Sequence, residues 1–158
     1  MARSSREWVL LAYRLPREPS TPRIALWRRL RRLGALQILD GLVALPLDDR
    51  TREQFEWLAQ EVEDAGGEAG VWISVPATAA QQRELVARSK EAVAADYRTI
   101  IEAAEVARKS DVVGRRRAAA RLRRTLAGIA SRDFFPPPER RQAERAVEQL
   151  VALAEAER

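Results

Sequence analysis

The sequence predicts an α+β fold, because strand-like and helix-like segments alternate as far as Pro76, Asp40-Gly41 separates two short apolar runs, and only helical periodicity persists after Pro76. Glu7 to Leu15 contains the β-favouring string Trp8-Val9-Leu10-Leu11-Ala12-Tyr13 and ends at Pro16, which marks a short, well-buried strand. Thr21 followed by Pro22 reads as an N-cap with proline in the first helical turn. Ile24, Trp27, Leu30 and Leu33 then recur at helical spacing until Gly34 stops the run. Leu36 to Leu39 and Leu42 to Leu45 flank Asp40-Gly41, a strong local signal for a two-residue hairpin because both positions tolerate positive φ. Thr51 with Gln54 reads as the capping box of a second helix whose apolar face is Phe55, Leu58, Ala59, Val62 and Ala65, closed by Gly66-Gly67. Ala69 to Val75 is the last strand.

The order is βαββαβ, the split-βαβ arrangement of ferredoxin-like domains, over residues 1–76. Residues 77–158 are expected to form a helical region of about three helices, packed on that domain or extending from it. Thr78 with Gln81 starts a long helix with the stripe Leu85, Ser89, Val93, Tyr97, Ile100 and Ala104. Ser110 or Asp111 caps the next, through Ala130, and Pro136 to Pro138 introduce the last.

Hairpin register carries a further expectation. With Leu39 opposite Leu42, the side chains of Leu36, Ile38, Val43 and Leu45 share one face of the sheet, and Gln37, Leu39, Leu42 and Ala44 share the other. Both faces are largely apolar, whereas two helices cover only one, so the later helices or a second subunit must cover the other. A homodimer is expected.

Composition narrows the chemistry. The chain has 158 residues, 46% of them apolar and 32% charged, and its longest apolar run, Trp8 to Tyr13, is far short of the ~20 residues of a bilayer span. No membrane association is expected. Behind Met1, the residues Arg3, Arg6 and Glu7 show no apolar leader, which makes a cytoplasmic location the default. Without cysteine or histidine there are no disulfides, no thiolate catalysis and no sulfur or imidazole metal ligands. No Gly-rich phosphate loop and no Gly-x-Ser-x-Gly elbow is present. A protein that is not an enzyme and uses no cofactor is expected.

Basic residues are the remaining signal. Net charge is +5, and every basic side chain except Lys90 and Lys109 is arginine, most simply a coding bias and secondarily a supply of bidentate anion binders. Arg28, Arg29 and Arg32 lie opposite the Trp27/Leu30 stripe of the first helix, and Arg115, Arg116, Arg117, Arg121, Arg123, Arg124 and Arg132 fall within residues 115–132 without one acid. Arg117, Arg121 and Arg124 line one edge at i, i+4, i+7. Such a row follows a phosphate backbone or grips a tetrahedral oxyanion; equally, it faces water or pairs with the acidic residues of 48–68. Candidate anion or nucleic-acid ligands are therefore Arg28, Arg29, Arg32, Arg115, Arg116, Arg117, Arg121 and Arg124. Trp8, Trp27, Trp57 and Trp72 read as core residues. Phe134-Phe135-Pro136-Pro137-Pro138 reads as an anchor for the last helix or as an exposed docking segment.

Several of these strings resemble one family. Trp8 to Pro16, Arg23 to Leu30 with Gly34-Ala35, Asp40-Gly41-Leu42 to Pro46, Lys90-Glu91 to Tyr97, and Asp133-Phe134-Phe135-Pro136 are together similar, in order and spacing, to the N-terminal domain of the chromate resistance protein ChrB. The phenylacetate-pathway repressors are a weaker second match. The ChrB resemblance implies a transcriptional regulator that responds to chromate, with DNA and chromate or another oxyanion as partners. It supplies no catalytic residue. Full-length members carry a further C-terminal domain, so a chain ending at Arg158 reads as a stand-alone member or as one whose missing part is a separate chain. Two alternatives stand beside this reading. One is a metal-dependent nuclease of the small ferredoxin-like kind, although Tyr13-Arg14 puts a cation where those enzymes place an Asp; the other is a dimerising scaffold that docks on a protein partner.

Overall fold

A computed structural model describes residues 6–157; Met1, Arg3 and Arg158 lie outside them. The chain is α+β, with a four-stranded antiparallel sheet and five helices. It divides into two compact units, residues 1–86 and 87–158.

The first unit contains β1 (Trp8–Arg14), α1 (Thr21–Leu33), β2 (Leu36–Leu39), β3 (Leu42–Pro46), α2 (Asp49–Asp64), β4 (Glu68–Ser74) and the start of α3 (Ala79–Ala107). The sheet order is β2-β3-β1-β4, which puts the most apolar strand, β1, in an interior position between two antiparallel neighbours. Val9 lies opposite Leu45 and Ile73, and Leu11 opposite Val43 and Val71; of these Val9, Leu11, Val43 and Leu45 are buried on one face with Phe55, Leu58, Val62, Leu26 and Leu30 completing that core. Helix α2 packs across β1 and β4.

The helix ends differ from expectation in detail. Helix α1 begins at Thr21 with Ser20 at its N-cap, and no side chain caps it, while Gly34 closes it at φ 79° with its N–H donating to the Arg31 and Leu30 carbonyls. Its buried stripe is Leu26 and Leu30; Ile24 and Trp27 are exposed. In α2 the capping box is set one turn earlier than Thr51 with Gln54. The Asp48 carboxylate accepts from the Thr51 N–H at 2.7 Å, and the Asp48 N–H donates back to Thr51 Oγ at 3.0 Å. Thr51 Oγ also donates to the Pro46 carbonyl at 2.6 Å, so one buried hydroxyl joins the end of β3 to the start of α2.

Two corrections concern the sheet. Leu39 does face Leu42, but the pairing shifts between Gln37 and Leu39, which brings Leu36 opposite Ala44 and Gln37 opposite Val43. This irregularity exchanges the faces expected for Leu36 and Gln37, so apolar Leu36 joins Ala44. Only Gly41 of the turn has positive φ, at 78°. The second correction is that Trp8 alone of the four tryptophans is buried; Trp27, Trp57 and Trp72 are more than half exposed. Trp8 donates its indole N–H to Gln82 Oε1 of α3 at 2.8 Å.

The second unit contains the rest of α3, α4 (Val112–Ala130) and α5 (Glu139–Ala156). Val93, Tyr97, Ile100 and Ala104 pack with Ala118, Leu122 and Ile129 of α4 and with Ala143, Val147 and Leu150 of α5. Asp111 caps α4 through the Gly114 N–H at 2.7 Å. Phe134 and Phe135 are half-buried and Pro137 is buried, so this segment packs instead of presenting an open proline ligand. Beside it the wholly buried Asp133 carboxylate accepts from the Tyr97 hydroxyl at 2.7 Å and from Arg140 at 3.4 Å. Burial, followed by this hydrogen bond and the Asp133 charge, pushes the Tyr97 phenol well above the ordinary tyrosine range. No helix among the described residues is long and apolar enough to cross a membrane.

Candidate anion-binding site

Three segments of the first unit that are separate in sequence converge on one cleft of about 970 Å³: the end of β1 with the loop after it, the first turns of α1, and the β2–β3 hairpin. Sheet pairing makes this convergence. The Tyr13 N–H donates to the Gly41 carbonyl at 2.8 Å, which fastens the hairpin turn to the end of β1. Glycine is required there twice over, since φ is positive and a Cβ would stand 2.4 Å from the Tyr13 carbonyl oxygen.

Four guanidiniums line the cleft, from Arg14, Arg17, Arg23 and Arg28, against a single acid, Asp40. Arg14 is held by Glu68 at 3.0 Å in the open, an exposed pair of small energetic weight. Arg17, Arg23 and Arg28 form no ion pair among the described residues. Tyr13 and Trp27 supply the aromatic wall, and Arg31 lies over the Trp27 ring at 5.0 Å from its centroid without lining the cleft. Burial and then the Asp40 charge raise the Tyr13 pKa, with Arg23 opposing, so the phenol stays protonated and offers a donor.

The sequence candidates separate accordingly. Arg28 lies in the cleft; Arg29 is instead engaged by Glu61 of α2, and Arg32 is exposed outside the cleft lining. On α4, Arg115 is half-buried and tied to Glu157 at 2.6 Å and to the Arg108 carbonyl at 3.0 Å, which removes it from the open row. Arg116, Arg117, Arg121 and Arg124 are exposed and form no ion pair among the described residues, and Arg123 is alike. With Ala118, Ala119, Leu122 and Ile129 buried, 100° per residue sets Arg117, Arg121 and Arg124 together along one exposed flank of the helix, beside the buried stripe. Arg132 pairs with Asp96 at 2.9 Å. Sequence reasoning missed Arg17 and Arg23 as site residues; the signal available was the concentration of arginine before residue 33. Among the described residues no three carboxylates cluster in a way that suits a metal ion.

The first unit is a small α+β unit with an arginine-lined, aromatic-walled cleft, and it is followed in sequence by a helix with an exposed arginine row. Comparison with known proteins then gives its family. The family model described as Protein ChrB, N-terminal, matches residues 23–111, from the first turn of α1 to the cap of α4, and the chain belongs to that family. Protein ChrB of Cupriavidus metallidurans is 32% identical to it over 142 residues, which span 87% of this chain and 43% of that protein. The chain thus covers less than half the length of this relative. No solved structure matches.

Proposed function

We propose that this chain is a non-enzymatic regulatory protein linked to chromate resistance, acting in the cytoplasm, that contacts DNA through α4 and responds to an oxyanion. Its first unit is read as a ferredoxin-like domain, supported by the element order βαββαβ and the sheet order β2-β3-β1-β4. The observation that carries the DNA reading is the α4 row: Arg117, Arg121 and Arg124 are exposed along one flank over about 10 Å of helix and form no ion pair among the described residues. Family membership supports the link to chromate, and the open guanidiniums supply bidentate donors of the kind that fit a tetrahedral dianion.

Fluorescence anisotropy with duplex DNA from the region upstream of its own gene, at two salt concentrations, tests the reading. Selective binding is expected, with a salt slope that falls by about 3 when Arg117, Arg121 and Arg124 are all replaced by alanine. Unselective binding, or a slope indifferent to those replacements, overturns the DNA contact. Calorimetric titration of chromate against sulfate tests the effector: heat with neither anion overturns that part.

A further inference from the structure

The cleft has a feature that a site for a bare oxyanion does not need. Trp27 is an indole on the first helix of a small domain, yet it is 54% exposed, and its ring lines the cleft beside Arg23 and Arg28. An exposed tryptophan loses hydrophobic stabilisation that a buried one would have. This ring is also held in place, because Arg31, one helical turn on and outside the cleft, lies over it. Arg17, Arg23 and Arg28 are without ion pairs among the described residues, Tyr13 keeps its proton, and Asp40 provides one acceptor at the hairpin end.

We propose that this cleft binds a nucleoside phosphate, with the base stacked on Trp27, the phosphate held by Arg23 and Arg28, and Asp40 accepting from a base amino group or a ribose hydroxyl. The chemistry is that of one planar aromatic ring joined to one anion, for which an indole set beside guanidiniums is complementary and for which stacking tolerates any base. A volume of about 970 Å³ is sufficient for a mononucleotide. The occupant is a free nucleotide or the phosphorylated end of a single strand, which present the same group. This proposal is independent of the α4 row, since it rests on residues of the first unit alone.

Calorimetry on the full chain tests it with AMP, GMP, CMP and UMP, with inorganic phosphate, and with a 5′-phosphorylated decathymidylate. At least one mononucleotide is expected to bind one to one and tenfold or more tighter than phosphate. Trp27→Ala, in a chain whose circular dichroism and unfolding midpoint are unchanged, is expected to erase that preference while leaving the weak phosphate affinity; Arg28→Ala is expected to weaken both. Competition by the oligonucleotide assigns the site to a strand end, and its failure to compete assigns it to the free nucleotide. Binding no tighter than that of phosphate, an affinity indifferent to Trp27→Ala, or no binding by any nucleotide overturns the proposal. Replacement of Arg117, Arg121 and Arg124 is expected to leave nucleotide binding as it was, which separates this site from the DNA contact.

Discussion

At the scale of single residues, Tyr97 and Gly41 carry the sharpest consequences. Tyr97 is wholly buried and its hydroxyl is the short hydrogen bond to Asp133, whose other carboxylate oxygen has no partner. Tyr97→Phe therefore removes the best donor of a buried carboxylate, and a loss of about 1–3 kcal/mol is expected in urea unfolding at neutral pH. The same pair sets a pH dependence. Because the folded state holds the Tyr97 proton more tightly than the unfolded state, stability from this group is complete below about pH 10 and declines as pH rises beyond it, by about 1.4 kcal/mol per unit. Tyr13 is raised too, so the comparison of wild type with Tyr97→Phe at pH 9, 10 and 11 isolates the Tyr97 share; equal slopes in the two proteins contradict it. Gly41→Ala places a methyl against the Tyr13 carbonyl at positive φ, and more than about 1 kcal/mol of stability is expected to go with it.

Elements show how far pattern reaches. The α3 stripe was legible, since Ser89, Val93, Tyr97, Ile100 and Ala104 are buried at the spacing their types suggested, and a long helix gives many repeats of one period. In α1 the same reasoning held only in part, since Leu30 of the expected stripe is buried and Ile24 and Trp27 are exposed. Ile24 and Trp27 are as apolar as Leu26, and thirteen residues that offer all three beside Leu30 do not say which of them is buried with it. The cleft was not legible at all, because residues 13–17, 23–28 and 37–41 meet only through strand pairing. Nor was the Asp48/Thr51 box read correctly, although both residues are good cap formers; Gln54 competed as a plausible third member and is not used. Asp48→Ala is expected to lower stability by about 1 kcal/mol, visible as a shifted denaturant midpoint with an unchanged slope. An unshifted midpoint would mean the cap contributes nothing.

The whole molecule is best considered through the second face of its sheet. Across the strands that face reads Trp8, Pro46 and Ser74, then Leu10, Ala44, Trp72 and Leu36, then Ala12, Gly70, Leu42 and Leu39, and it ends at the ion pair of Arg14 with Glu68. Leu39 and Trp72 are exposed on it, at 65% and 63%. A largely apolar surface selects a partner of the same kind, and a second copy supplies it by symmetry, so we propose a homodimer through this face. Light scattering behind a sizing column is expected to give twice 17.8 kDa, and Leu39→Asp to give a folded monomer. A wild-type monomer overturns the assembly. The bond from Trp8 to Gln82 has its own consequence for how this module can be separated. The first unit ends inside α3, not at the end of β4, and a buried tryptophan of the first strand finds its acceptor six residues past Pro76 of the linker that follows the sheet. A gene fragment trimmed at the last strand would keep every strand and still orphan that indole, so a fragment cut to keep this contact takes the sheet together with the opening turns of the helix that leaves it.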